Sequence, residues 1–224
     1  MFVRGIMLRC ASFFAGVGGI DLGFERAGFE VVYANEICDK ASLTFKQNHK
    51  IELDTRDIMD VQSTEIPDFD IMLAGFPCQA FSVAGYRQGF DDEKGRGNLY
   101  FELERIMRDK RPSIVFLENV KNLVGHDKGR TFDIIRNSMQ DLGYKIHHKV
   151  MNACDYGDIP QNRERIYVVG FLDDGVSDRF SFPDEIPLKT TIGDIFEFES
   201  RVDDKYYYGD CLLYTSPSPR DLDL

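Results

Sequence analysis

Residues 8–19 read Leu8-Arg-Cys-Ala-Ser-Phe-Phe-Ala-Gly-Val-Gly-Gly19, a short apolar run followed at once by a glycine cluster. Residues 20–27 then have apolar side chains at helical spacing and end before Gly28, a residue that favours a helix end. A strand, a glycine turn and a helix in this order predict a nucleotide-binding turn, because glycines let a ligand approach the main chain. The glycine pattern alone does not identify the nucleotide. Asp21 stands where a dinucleotide-binding sequence has its third glycine, which argues against a dinucleotide.

Strand-like and helix-like segments alternate along the chain, which predicts an α/β fold with a mostly parallel sheet and helices on both faces. The expected strands are residues 8–14, 30–34, 70–74, 113–117, 145–151 and 165–171, and the expected helices are residues 20–27, 39–48, 98–108 and 131–142. One further short helix is expected at residues 190–198. Residues 80–97 contain four glycines and many charges, and a loop of this length in a compact domain is usually functional or disordered.

Composition and charge exclude several classes of protein. The chain has 224 residues, 43% of them hydrophobic, which suffices for one domain with a sizeable core. It has no apolar run of about eighteen residues and no signal peptide, so we expect a soluble cytoplasmic protein. Five cysteines form no C-x-x-C pair and four histidines show no metal spacing, so neither a disulfide framework nor a metal site is expected. The net charge of −11 argues against strong DNA binding by this chain alone.

Residue types suited to covalent catalysis stand at the ends of the later strands. Cys78 follows the strand at residues 70–74, and Glu118 follows the strand at residues 113–117. Arg163 and Arg165 come immediately before or at the start of a later strand. A cysteine needs a positive or dipolar neighbourhood to act as a thiolate nucleophile, and ligands of α/β proteins bind at the carboxyl edge of the sheet. Each of these residues, taken singly, is also compatible with an ordinary structural or surface role.

Two acidic positions extend the nucleotide-binding prediction. Glu36 ends the second expected strand, about twenty residues after the glycine turn, where a carboxylate accepts hydrogen bonds from ribose hydroxyl groups. Asp57 and Ile58 follow the next segment, where an acid and an apolar side chain suit the amino group and ring of adenine.

Taken in order, the sequence motifs resemble the DNA (cytosine-5)-methyltransferase family, in particular its bacterial type II restriction–modification members. The resemblance covers residues 8 to about 172 and rests on Phe14-Ala-Gly-Val-Gly-Gly19, Gly75-Phe-Pro-Cys-Gln-Ala-Phe-Ser82, Gly97-Asn-Leu-Tyr-Phe101, Glu118-Asn-Val120 and Gln161-Asn-Arg-Glu-Arg165. It implies a Rossmann-like fold that uses S-adenosyl-L-methionine. It also implies methyl transfer to C5 of a cytosine that is flipped out of double-stranded DNA.

The resemblance also implies a role for each residue of the site. Cys78 would attack C6 of the ring, Glu118 would bind the N3 edge, and Arg163 and Arg165 would hold O2, a flanking phosphate or Glu118 itself. The implied cofactor contacts are Phe14, Ala15, Gly16, Val17, Gly19, Glu36, Ile37, Asp57, Ile58, Pro77 and Leu99. Ile37 stands where members often have an aromatic residue, so adenine packing there would be aliphatic.

The later part of the chain departs from the family pattern. Residues 1–175 are expected to form the catalytic domain, and residues 176–210 a linker and the start of a target-recognition region. Residues 211–224 resemble translated adaptor sequence and are expected to be disordered. The recognition region and the final Asn-Ser-Val segment of the family do not appear, so we expect little or no activity from this chain alone. For the complete protein we expect a monomer in the bacterial cytoplasm that acts on double-stranded DNA. A cognate restriction endonuclease would act on the same DNA site without direct contact.

Three alternatives remain open at this point. A tRNA cytosine-5 methyltransferase of the same family would share the fold and chemistry but act on another polymer. A non-catalytic cofactor-binding fragment would retain the glycine turn without turnover. An NAD-dependent oxidoreductase would explain the glycine turn, but it would leave Cys78 and the arginine pair without a role.

Overall fold

The computed structural model describes residues 7–77 and 99–195, and one seven-stranded sheet dominates this part of the chain. Its strands are β1 (Arg9–Phe13), β2 (Glu30–Asn35), β3 (Leu53–Asp54), β4 (Ile71–Ala74), β5 (Ile114–Val120), β6 (Lys145–Asn152) and β7 (Glu164–Phe171). The helices are α1 (Gly19–Arg26), α2 (Asp39–Asn48), α3 (Leu99–Lys110), α4 (Arg130–Asp141), α5 (Ala153–Tyr156) and α6 (Asp174–Ser177). Short 3-10 turns at Ile58–Asp60 and Ser63–Glu65 follow β3.

The strand order is β3-β2-β1-β4-β5-β7-β6, and the direction of one strand differs from the rest. Neighbouring strands are parallel from β3 through β5, whereas β7 runs antiparallel to both β5 and β6. The prediction of a mostly parallel sheet is therefore confirmed. The reversal of β7 was not predicted, because hydrophobic periodicity identifies a strand but not its direction.

Alternating residues of the central strands pack into two separate layers of core, one on each face of the sheet. On one face, Cys10 of β1 and Leu73 of β4 are fully buried and pack with Phe24 of α1. On the other face, the buried side chains of α3 and α4 pack against β1, β4 and β5; they include Tyr100, Leu103, Ile106, Met107, Phe132, Ile135 and Met139. Helices thus cover both faces, as predicted.

The strand ends determine what meets at the edge of the sheet. β1, β2, β4 and β5 all end at the same edge, and because β7 is reversed, it begins there. β5 continues to Val120, three residues beyond the predicted end at residue 117, because Glu118 to Val120 pair with β7. Glu118 therefore lies inside a paired strand rather than in a loop after it.

The remaining predictions on organisation have different outcomes. The chain divides into two compact units, residues 1–188 and 189–224, and the described part of the second unit contains only a 3-10 turn at Ile192–Asp194 within the expected helix. The expected tail at residues 211–224 lies outside the described residues, and the three-part division at residues 175 and 210 stays a prediction. None of the described helices has the length and apolar character needed to cross a membrane.

The glycine turn after β1 generates a stability prediction. Gly18 has φ +85°, and a Cβ at this position would lie 2.1 Å from Nε2 of His49, whose ring stacks on Phe45. Gly18→Ala should therefore lower the free energy of unfolding by about 1–3 kcal/mol through backbone strain. The steric contact with the imidazole ring should lower it further. Urea unfolding of the purified chain measures the change.

Gly23→Ala is the matched control for this substitution. Gly23 lies inside α1, and a Cβ there would meet no atom within 4 Å, so alanine should stabilise the helix by roughly 0.5–1 kcal/mol. Equal stability of the two variants would contradict the assigned role of Gly18.

Candidate active site

The turn between β1 and α1 is held open by hydrogen bonds to the end of β2. Phe14 has φ 54° and Gly16 has φ 59°, so the chain reverses sharply after β1. The Gly16 N–H donates to Oε2 of Glu36 at 2.8 Å, and the Cys38 N–H donates to Oε1 of the same carboxylate at 2.7 Å. The Ala15 N–H donates to the Asn35 carbonyl at 3.0 Å. The side chain predicted to bind ribose is thus also the one that fixes the glycine turn.

This turn borders a cleft of about 700 Å³. A Cβ placed on Gly16 or Gly19 would meet no atom within 4 Å, so the main chain here faces open space. The start of α1 adds N–H groups that have no partner within the helix. The cleft lining includes Phe14, Ala15, Gly16, Val17 and Gly19 from the turn, together with Glu118 and Arg163. An open glycine turn beside an acidic strand end suits a nucleoside cofactor whose other end reaches Glu118.

The side expected to bind adenine lies further along the same edge. The Glu36 N–H donates to the Asp54 carbonyl at 3.0 Å, which joins the ends of β2 and β3. Oδ1 of Asp57 accepts from the Met59 N–H at 3.0 Å and caps the turn at Ile58–Asp60. Ile37 is 56% exposed, as an adenine contact requires.

Ile58 differs from the expected position. Its side chain is 3% exposed and packs in the core beneath the turn, because it anchors the segment after β3 on the face covered by α3. The side chain therefore offers almost no surface to an adenine ring, so a contact from Ile58 would have to come from its main chain. Among the described residues, the cleft lining also leaves out Glu36, Ile37, Asp57, Pro77 and Leu99.

Two predicted contacts flank the predicted nucleophile. Pro77 is exposed at the end of the segment after β4, and Leu99 begins α3, where it packs partly against the core. Cys78, the predicted nucleophile, lies outside the described residues, so its role stays a prediction. Because Pro77 directly precedes Cys78, its position shows that the predicted nucleophile follows the edge of the sheet at which β4 ends.

Glu118 and Arg165 form an ion pair at this edge. Nε of Arg165 lies 3.0 Å from Oε1 of Glu118, with side-chain exposures of 20% and 22%. In the antiparallel register Val120 lies opposite Arg165 and Glu118 lies opposite Tyr167, so Glu118 and Arg165 are diagonal neighbours on one face. The long arginine side chain spans this diagonal.

The surroundings of Glu118 favour its protonated form. Burial raises the pKa of the Glu118 carboxyl above its usual value, although Arg165 and Arg163 act in the opposite direction. Gly75, directly after β4, lies beside this side chain, since a Cβ there would make an ordinary contact of 3.4 Å with Oε2 of Glu118. The arrangement gives a carboxyl group that is held in a fixed position and retains its proton more readily than an exposed glutamate.

Asn119 has a role that sequence reasoning did not assign. Its side chain is 3% exposed, and Nδ2 donates to the carbonyl of Phe76 at 2.8 Å. This bond ties β5 to the main chain two residues before Cys78. The signal lay in the alternation of the strand. Asn119 follows Val115 and Leu117 on the buried face of β5, and a buried polar side chain needs a hydrogen-bond partner.

Aromatic side chains line the cleft and were also not predicted as site residues. Phe24 and Phe29 contact each other with ring centroids 5.3 Å apart, and Phe116 contacts Tyr167 at 5.7 Å. All four line the cleft. Arg163 borders it as well and is held through its main chain, because its N–H donates to Oδ1 of Asn152 at 2.8 Å.

Comparison with known proteins identifies the family of this chain. The family of C-5 cytosine-specific DNA methylases matches residues 8–221. The type II methyltransferase M.Bsp6I of Bacillus sp. (strain RFL6) is 51% identical over 212 residues, which are 93% of this chain and 67% of the relative. M.NlaX of Neisseria lactamica, also a type II methyltransferase, is 48% identical over 208 residues, which are 92% of this chain and 64% of the relative.

A solved structure extends the comparison to the fold. A crystal structure of a DNMT2 mutant from Spodoptera frugiperda aligns with a TM-score of 0.70 at 21% identity, covering 88% of this chain and 61% of that chain. The likeness shows the same fold. The chain spans about two thirds or less of the length of each of these three proteins.

The ion pair generates a prediction for the titration of Glu118. Arg165→Met keeps most of the side-chain volume but removes the largest influence that lowers the pKa of Glu118, so this pKa should rise further. Carbon-detected NMR of glutamate-labelled protein measures it directly. Arg165→Lys keeps the positive charge and should change the pKa less. An unchanged pKa in Arg165→Met would show that the charge of Arg165 does not act on Glu118.

Proposed function

The chain belongs to the C-5 cytosine-specific DNA methylase family, and we propose that the complete protein that contains it transfers a methyl group from S-adenosyl-L-methionine to C5 of a cytosine in double-stranded DNA. The observation that carries this proposal is the convergence of two features on one cleft. The open glycine turn after β1 lines this cleft, and so does Glu118, which pairs with Arg165. Transfer of a methyl group from a nucleoside cofactor to a base requires that the two be bound side by side.

We propose the following division of the cofactor site. Phe14, Ala15, Gly16, Val17 and Gly19 would hold the methionine end, Glu36 the ribose, and Asp57, Ile37 and the main chain of Ile58 the adenine. Pro77 and Leu99 would border the site from the two sides of residues 78–98. When bound, the cofactor supplies an electrophilic methyl group on a sulfonium centre.

Cys78 and Glu118 would act on opposite parts of the cytosine ring. The Cys78 thiolate forms a bond to C6 while the protonated Glu118 gives its proton to N3, so that C5 becomes nucleophilic. After C5 has been methylated, a solvent water takes the C5 proton, the electron pair forms the C5–C6 double bond and expels the Cys78 thiolate, and N3 returns its proton to Glu118. The raised pKa of Glu118 supports this role, because the acid must be protonated when the thiolate attacks.

The remaining side chains would position these two groups. Arg165 fixes the direction of the Glu118 carboxyl, and Asn119 fixes the main chain that leads to Cys78. Arg163 borders the same cleft and would bind O2 of the base or a flanking phosphate. We further propose a cytoplasmic protein that acts on the same DNA site as a cognate restriction endonuclease, without direct contact between the two. A monomeric state is also expected.

A covalent trap tests the polymer, the nucleophile and the reaction together. DNA that contains 5-fluorocytosine cannot lose a proton from C5, so the adduct with Cys78 should persist through denaturing electrophoresis. We expect it with the complete reading frame that contains this chain, and much less with the chain alone. Glu118→Gln should form it about 100-fold more slowly or worse, since general acid catalysis contributes at least this factor.

Cys78→Ser is the control and should give no adduct. An adduct that persists in Cys78→Ser would identify another nucleophile. If DNA forms no adduct but tRNA is methylated, the substrate is RNA. The absence of product on either polymer would reject the proposed reaction.

A further inference from the structure

The side chain of Arg105 links α3 to the segment that follows β3. Nη2 of Arg105 donates to the Val61 carbonyl at 2.9 Å and to the Ile58 carbonyl at 3.4 Å. Nη1 donates to Oγ of Ser63 at 2.9 Å. One guanidinium group therefore holds three residues that lie more than forty positions away in the sequence.

Neighbouring carboxylates orient both partners of this link. Nε of Arg105 donates to Oε2 of Glu102 at 2.8 Å, one turn earlier on the same helix. Oγ of Ser63 donates to Oδ2 of Asp109 at 2.6 Å, one turn later. The guanidinium thus uses its planar arrangement of donors in several directions at once, which a lysine ammonium group cannot reproduce.

The segment held by Arg105 contains the expected adenine contacts. Ile58 and Val61 also anchor it from below, since their side chains are 3% and 0% exposed in the core that α3 covers. Asp57 immediately precedes the turn and caps it with its own carboxylate. The Ile58 and Val61 carbonyls are bonded to Arg105 and their side chains are buried, so the turn that Asp57 caps is fixed to α3.

We propose that Arg105 is a positioning residue for cofactor recognition, which fixes Asp57 and the Ile58 main chain relative to Leu99. The inference rests on the proposed function, because it assigns adenine to this edge. Leu99 and Arg105 lie on the same helix, so the guanidinium sets the distance between two walls of the proposed site. Arg105 itself does not touch the ligand; it determines how well the carboxylate of Asp57 recognises the amino group of adenine.

A binding experiment separates recognition from general stability. Calorimetry would compare S-adenosylhomocysteine with its inosine analogue, in which a 6-oxo group replaces the 6-amino group that Asp57 would bind. The wild-type protein should prefer the adenosine compound by about tenfold or more, the effect of one hydrogen bond to a charged group. In Arg105→Ala and Arg105→Lys this preference should fall to about threefold or less.

Arg108→Ala is the matched control, because Arg108 lies exposed on the same helix and its one ion pair among the described residues is with Glu104. It should leave the preference unchanged. If the Arg105 variants do not fold, Ser63→Ala replaces them as the test. It removes the hydroxyl group that bonds the guanidinium, and it should also lower the preference for the adenosine compound. Equal loss of affinity for both compounds, with the tenfold preference retained, would overturn the inference.

Amide hydrogen exchange distinguishes failure of this inference from failure of the proposed function. Without any ligand, the amides of residues 59–62 should exchange about tenfold faster in Arg105→Ala than in Arg108→Ala, because the bonded carbonyls hold this turn closed. If the wild-type protein binds neither compound but the exchange rates differ as expected, the cofactor assignment is wrong and Arg105 still fixes the turn. Unchanged exchange would refute the positioning role whatever the protein binds.

Discussion

The antiparallel pairing of β5 with β7 is the constraint on which the proposed active site depends. In a fully parallel sheet, the start of a strand lies at the edge opposite to the end of its neighbour. Arg165 stands at the start of β7 and Glu118 near the end of β5. If β7 were parallel to β5, the two side chains would lie about one strand length apart, at opposite edges of the sheet. The reversed strand brings them to 3.0 Å, where a partly buried carboxyl obtains a charged partner.

The site is assembled from short links between strand ends rather than from a single loop. Glu36 joins β2 to the glycine turn, Asn119 joins β5 to the segment after β4, and Arg105 joins α3 to the segment after β3. Each link uses one polar side chain to bond main-chain groups of another segment. The sheet therefore determines the approximate position of each segment, and the bonds from these side chains determine its final position.

Much of this arrangement could be predicted from the sequence because it depends on local patterns. Apolar periodicity located the main strands and helices, and the glycines after Phe13 located the turn. The order of motifs indicated Glu118 and Arg165 as site residues, and the structure brings the two together.

The rest depends on contacts between distant residues, which periodicity does not encode. An isolated strand pattern has no direction, so the reversal of β7 was missed. Ile58 follows an acid in the sequence and suggests a ligand contact, but the packing of α3 turns its side chain into the core. Arg105 stands among the charged residues of an amphipathic helix, and nothing near it in the sequence indicates a partner at residues 58–63.

Glu36 has a consequence for which ligands the edge would accept. Each carboxylate oxygen already accepts one main-chain N–H, yet each retains a further lone pair for a hydroxyl group. A sugar with free hydroxyls could therefore bind without breaking either bond. A sugar that carries a phosphate at the same position would place its negative charge beside the Glu36 carboxylate, which its two hydrogen bonds hold in place. If Glu36 binds ribose as proposed, the hydrogen bonds that shape the turn would also disfavour phosphorylated nucleosides electrostatically.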